Sequence, residues 1–186
     1  MPKTDATSDA NQEGKYYRPN VGIMVANAEG NRLLWCRRVG SNAWQFPQGG
    51  IDKNESSTSA AWRELREETG LHDQNTHLVS SLRKWIPYQL PHKKNIRANH
   101  PLRHSRFIGQ KQRWYLFQLT GDDSCIQLDA QTHPEFDQWQ WVSYWYPLGQ
   151  IVSFKQPAYR QALTQLAKPF QGLTQASSEH TATGAD

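Results

Sequence analysis

Glu64, Glu67 and Glu68 stand at i, i+3 and i+4 in the run Arg63-Glu-Leu-Arg-Glu-Glu-Thr-Gly-Leu71. On a helix that spacing sets three carboxylates on one face within a single turn. Like charges so placed repel, by roughly 0.2–0.5 kcal/mol per exposed pair. They also lie near a helix C-terminus, where the macrodipole disfavours anions. A sequence with this arrangement needs something to neutralise it. A hard divalent cation is a natural candidate, because Mg²⁺ takes oxygen ligands and keeps its waters for exchange with phosphate oxygens. The chemistry on offer is metal-assisted work on phosphates. For E-x-x-E-E by itself, a solvated acidic face balanced by Arg63 and Arg66 is the more ordinary explanation.

The elements that must position these carboxylates can be read outward from them. Ser57 to Thr69 predicts a helix closed by Gly70, a residue suited to the left-handed position beyond a helix end, with Leu71 folding back on Leu65. Ahead of it, Val21 to Val25 predicts a buried strand, Ala28 to Asn31 a turn and Arg32 to Arg38 a second strand, together a hairpin. Arg83 to Tyr88 and Lys111 to Leu119 predict strands joined by a long loop, and Phe136 to Val142 a further strand. Pro157 suits a helix start, and Tyr159, Ala162, Leu163 and Leu166 have helical spacing through Ala167. Strands, a helix, more strands and a final helix predict a mixed α/β sandwich rather than a doubly wound sheet. Neither G-x-G-x-x-G nor G-x-x-x-x-G-K-[ST] occurs.

The wider segment narrows the choice. Gly49, Glu55, Arg63, Glu64, Leu65, Glu67, Glu68, Gly70 and Leu71 fill the pattern G-x5-E-x7-R-E-U-x-E-E-x-G-U without a departure, U being aliphatic. This resembles the signature of the Nudix hydrolases, which act on nucleoside diphosphates linked to another moiety. Tyr17 to Gly22, Trp44 to Gly50, Gly109 to Trp114, Pro134 to Asp137 and Trp141 to Pro147 with Val152 to Lys155 extend the likeness. They resemble the bacterial branch of that family that acts on RNA 5′ ends, a branch also described as hydrolysing dinucleoside polyphosphates. The likeness spans about Tyr16 to Phe170. The loop His92 to Arg106 departs from it, being longer and richer in His.

The resemblance implies an α/β/α sandwich around a mixed sheet and a metal-dependent hydrolase. The reaction implied is removal of pyrophosphate, or of phosphate stepwise, from triphosphorylated or diphosphorylated RNA to leave a 5′-monophosphate, promoting transcript decay. Hydrolysis of Ap4A-type dinucleoside polyphosphates is the alternative enzyme reading, and a non-catalytic RNA-binding module the alternative of another class. Implied metal ligands are Glu64, Glu67, Glu68 and Glu135 with the Gly49 carbonyl, for Mg²⁺ or else Mn²⁺ or another divalent cation. Glu64 and Glu135 are both open as the general base, and Arg63 pairs with Glu55 to fix loop against helix. Arg18, Arg38, Gln110 and Lys155 are the implied substrate contacts. Val152 and Phe154 are the implied walls of a slot for a 5′-terminal base. Core packing is the competing explanation for Val152, Phe154 and Tyr88, and for the cluster Trp139, Trp141 and Trp145.

Composition agrees with an RNA partner without requiring one. The 186 residues carry a formal net charge of +4. Nine cations lie between Arg83 and Arg113 (Arg83, Lys84, Lys93, Lys94, Arg97, Arg103, Arg106, Lys111, Arg113) with no Asp or Glu, so the rest of the chain is at −5, four minus nine. A basic segment flanked by aromatics suits a polyanion, although a solvated basic loop has the same composition. No stretch approaches the roughly 20 apolar residues of a membrane span. Cys36 and Cys125 show no zinc spacing, and with the polar N-terminus they suggest the cytoplasm. Residues 1–15 and 171–186 are expected to be disordered tails around a domain at 16–170.

Overall fold

The computed structural model describes residues 16–91, 107–129 and 131–182. The expected N-terminal tail and the His-rich loop 92–106, with Lys93, Lys94, Arg97, Arg103 and Arg106, lie outside the described residues. At the centre run β1 (Tyr16–Ala26) and β7 (Phe107–Leu119), paired in parallel from Tyr16 opposite Phe107 to Ala26 opposite Gln118. Val21 to Ala26 are all buried, as a strand covered on both faces requires.

Around this pair the remaining strands are antiparallel. β2 (Leu33–Arg38) follows β1 through a hairpin and carries β3 (Trp44–Gln45) and β8 (Phe136–Val142). β4 (Gln48–Gly50) pairs with β1, while β5 (Thr76–Ser81) and β6 (Ile86–Gln89) both pair with β7. One parallel pair within an otherwise antiparallel set makes the sheet mixed.

Helices cover both faces. α1 (Ser57–Thr69) buries Ala60, Ala61 and Leu65 against Val21, Ile23, Val25, Leu34, Tyr115 and Phe117. α3 (Gln156–Ala182) buries Tyr159, Ala162, Leu163 and Leu166 on the other face, against Met24, Trp35, Phe46 and Trp114. The Tyr159 ring stacks on Phe46 at 5.4 Å and meets Trp114 edge-on at 5.0 Å. A short helix α2 (Tyr146–Gln150) and a 3₁₀ turn at Ser153–Lys155 lead into α3. The result is an α/β/α sandwich.

The structure differs from the expectation in three places. β5 was not anticipated: Thr76-His-Leu-Val-Ser-Ser81 has only two adjacent apolar residues, and a register shift between Leu78 and Ser80 breaks its alternation. β3 and β4 are too short to leave a periodic trace. The third difference is at the C-terminus, where α3 continues to Ala182 through residues assigned to a disordered tail. Phe170 and Leu173 are buried and prolong the apolar stripe of Tyr159, Leu163 and Leu166, so packing carries the helix past Pro169 despite the hydrogen bond that proline lacks.

The tryptophans divide. Trp139 and Trp141 are partly buried against the α1-side core, whereas Trp145 is half exposed. Both cysteines are unpaired.

Candidate active site

The carboxylate helix starts at Ser56, whose Oγ accepts from the Ser59 amide at 3.0 Å, and ends at Gly70 with φ of 71°. An N-cap side chain satisfies one orphan amide, and glycine tolerates the left-handed turn. These two ends fix the registration of everything between them.

Arg63 organises the acidic cluster. Its Nε and Nη2 donate to the two oxygens of Glu55, each at 2.9 Å, and Nη2 also donates to the Gly50 carbonyl at 2.8 Å. Nη1 donates to Glu64 Oε1 at 2.8 Å and to Glu67 Oε2 at 3.1 Å. The planar fork thus ties β4, the loop and the helix together. The guanidinium holds the Glu55 carboxyl below its usual range, and Glu55 in turn raises Arg63.

Two carboxyls behave otherwise. Burial raises Glu64, against the pull of Arg63 and with the help of Glu67 and Glu135. Burial pushes Glu68, 6% exposed, well above the carboxylate range, and the charges of Glu135 and Glu64 add to the effect. Glu68 Oε2 accepts from the Gln48 amide at 2.9 Å. The Glu64 carboxyl lies where a Cβ on Gly49 would stand, so only glycine lets it rest against the β4 backbone. Glu135, from the segment before β8, reaches the Glu68 carboxyl and sits 3.8 Å from Arg38 Nη2.

The fold therefore brings Glu135 from a distant segment close enough to Glu64 and Glu68 for its charge to disfavour their ionisation. Carboxylate oxygens are the donor type a hard divalent cation takes. Glu67 is adjacent through Arg63. Among the described residues no three such side chains are already gathered at ligand geometry. Glu64 and Glu67 are held by Arg63.

The basic side of the site is assembled by different elements. The Arg18 guanidinium lies against β4, where a Cβ on Gly50 would stand. Lys155 is buried, and its Nζ donates to Gln45 Oε1 at 3.0 Å and Gln48 Oε1 at 3.1 Å. It stands 5.7 Å from the Tyr88 ring centroid. Burial and the nearby Arg38 charge lower the Lys155 ammonium to about 8. Gln110 accepts from the Tyr88 hydroxyl. Phe154 is half-buried with its ring 6.1 Å from that of Tyr88, while Val152 is 41% exposed. Tyr88 is thus both core and lining.

Asn20, Gln45, Gln48 and Gln112 are the polar residues the sequence reading passed over. They sit in strands, and the available signal was an amide where alternation places the core, as at Gln112 between Lys111 and Arg113.

A NUDIX domain model matches residues 16–165. The chain is 49% identical over 150 residues to an RNA pyrophosphohydrolase of Acinetobacter baylyi, covering 81% of this chain and 87% of the relative. It is 49% identical over 151 residues to the RNA pyrophosphohydrolase of Hahella chejuensis, covering 81% and 91%. Among solved structures, the Escherichia coli dihydroneopterin triphosphate pyrophosphohydrolase superposes with a TM-score of 0.59 at 19% identity, over 81% of this chain and 97% of that one. A Caenorhabditis elegans Ap4A hydrolase gives 0.55 at 17%, over 81% and 98%. At these identities the structures speak for the fold alone.

Proposed function

The chain belongs to the Nudix family and is a hydrolase of phosphoanhydride bonds; from that premise we propose that it converts 5′-triphosphorylated or diphosphorylated RNA to 5′-monophosphorylated RNA, promoting transcript decay. The observation that carries the reading is the convergence of Glu64, Glu68 and Glu135 beside a buried lysine. The relatives at 49% identity are named RNA pyrophosphohydrolase. The catalytic unit is residues 16–170, extended by the turn of α3 that buries Leu173, and the unpaired thiols suit a reducing compartment such as the cytoplasm.

Enzymes of this family use divalent cations, and Mg²⁺ suits an all-oxygen donor set. Glu64, Glu67, Glu68, Glu135 and the Gly49 carbonyl would hold it. Bound there, the cation neutralises phosphate charge and makes water more acidic. Arg63 keeps the ligand helix locked to the Glu55 loop. Arg18, Arg38, Gln110 and Lys155 bind the phosphates, and Val152 and Phe154 border the terminal base. Glu135 or Glu64 takes a proton from water. Water adds across the α–β anhydride: its oxygen bonds to one phosphorus as the bond from that phosphorus to the bridging oxygen breaks, the bridging oxygen stays with the other phosphorus, pyrophosphate (or phosphate, from a 5′-diphosphate) departs, and the RNA keeps the α-phosphate.

Glu67→Gln tests this. It should lower kcat on 5′-triphosphorylated RNA with Mg²⁺ by about a hundredfold or more, while RNA binding persists. Unchanged turnover overturns the metal-ligand assignment, and wild-type protein that releases no pyrophosphate or phosphate overturns the reading. Competition between RNA and Ap4A, compared by kcat/KM, separates the two substrate classes.

A further inference from the structure

Asn20, Gln45, Gln48 and Gln112 form a polar seam beneath Lys155, and none of them belongs to the carboxylate signature. Asn20, Gln45 and Gln112 are buried like Lys155, at 7% exposure or less. Gln112 Nε2 donates to Asn20 Oδ1 at 2.9 Å and to Gln48 Oε1 at 3.1 Å. Both amide hydrogens are thereby used, and the bond to Asn20 aims the second at Gln48. Gln48 Oε1 also accepts from Lys155 Nζ at 3.1 Å, which occupies both of its lone pairs. The main-chain amide of the same residue donates to Glu68 at 2.9 Å.

Gln48 is therefore attached at one end to the metal-side carboxylate and at the other to the buried ammonium. The chemistry of the Lys155 contacts is informative. A buried cation kept for stability is ordinarily paired with a carboxylate. Lys155 is hydrogen-bonded by two neutral amide oxygens, which orient it, while Glu135 and Glu68 act on it only as longer-range charges and, among the described residues, no carboxylate is in ion-pair contact with it. Among the described residues Gln45 Nε2 and Gln112 Oε1 are buried without a hydrogen-bond partner, so the seam carries a desolvation cost that packing alone does not explain.

We propose that Gln48 is a positioning residue that sets Lys155 against the Glu68 end of the metal site, so that a phosphate held by the lysine meets the cation held by the helix. This rests on the reading of Lys155 as a phosphate contact. The test is steady-state hydrolysis of 5′-triphosphorylated RNA at varied Mg²⁺ by wild type, Gln48→Met, Lys155→Met and the double variant. Gln48→Met removes the acceptor but keeps the main-chain amide. It should raise KM about tenfold, with kcat and the half-saturating Mg²⁺ concentration changed less than about twofold. In the Lys155→Met background the same substitution should add nothing, because the group it positions is gone.

Additive effects, or an unchanged KM in Gln48→Met, overturn the proposal. A rise in KM for Lys155→Met but not for Gln48→Met removes the positioning role alone. No rise for Lys155→Met removes the phosphate-contact reading as well. Should Gln48→Met fail to fold in a thermal melt, Gln112→Leu, which frees the Gln48 amide to turn, is expected to raise KM in the same direction, and an unchanged KM there counts against the proposal equally.

Discussion

A methyl group on Gly49 would occupy the space of the Glu64 carboxyl. The end of a flexible side chain can swing away, so Gly49→Ala should cost little stability while displacing a proposed ligand. The expected outcome is a fall in kcat of about a hundredfold with the melting temperature nearly unchanged, since small misplacements at a reacting centre are expensive. Lys155 makes a pH prediction. Its ammonium is lowered to about 8, so the charged form is disfavoured in the fold; its stability contribution is present above the unfolded value near 10.5 and is lost as pH falls through about 8. Phosphate binding needs the opposite form. The kcat/KM profile should therefore fall as pH rises past about 8, and Lys155→Met should lack that limb.

At the scale of elements, α1 and β4 are joined by the Arg63 guanidinium on the Gly50 carbonyl as well as by the Gln48 amide on Glu68. Arg63→Ala would leave Glu55, Glu64 and Glu67 facing one another without their shared cation. The cluster is partly buried, with Arg63 at 23% and Glu67 at 35% side-chain exposure. A loss of about 2–3 kcal/mol, between the surface and buried limits, is expected in urea unfolding without divalent cations. Added Mg²⁺ should narrow the gap, because it supplies positive charge to the same carboxylates. Equal losses with and without metal would separate the cation site from this cluster. The helix itself needs none of this to form: its Ser56 cap, its Gly70 stop and the stripe of Ala60, Ala61 and Leu65 are local features.

At the scale of the molecule, the two faces of the sheet hold different halves of the chemistry. α1 on one face presents the carboxylates, and the turn leading into α3 on the other presents Lys155. Stability of the α3 layer therefore bears on the site. Ending the chain at Lys168 removes the buried Phe170 and Leu173, and a loss of about 3–5 kcal/mol is expected from thermal or urea unfolding. An unchanged melting temperature would show that helix beyond Pro169 adds nothing to the core.

The carboxylate helix, its Gly70 stop, the central strands and the α/β class were all legible in the amino-acid order. Their signals are contacts at i+3, i+4 or i+2, which local periodicity records. The amide seam was not legible. Lys155 and Gln45 meet across 110 positions, and Gln112 and Asn20 across 92. Such meetings depend on strand register, here Asn20 opposite Gln112 and Gly22 opposite Gln48. Register is chosen by how the whole sheet buries its two apolar faces, so no segment encodes it alone. β5 and the end of α3 followed the same rule: weak local patterns became a strand and a helix because β7 and the core gave them a surface to cover. The order of residues determined that three carboxylates share one turn of a helix; packing decided which amides stand beside Lys155.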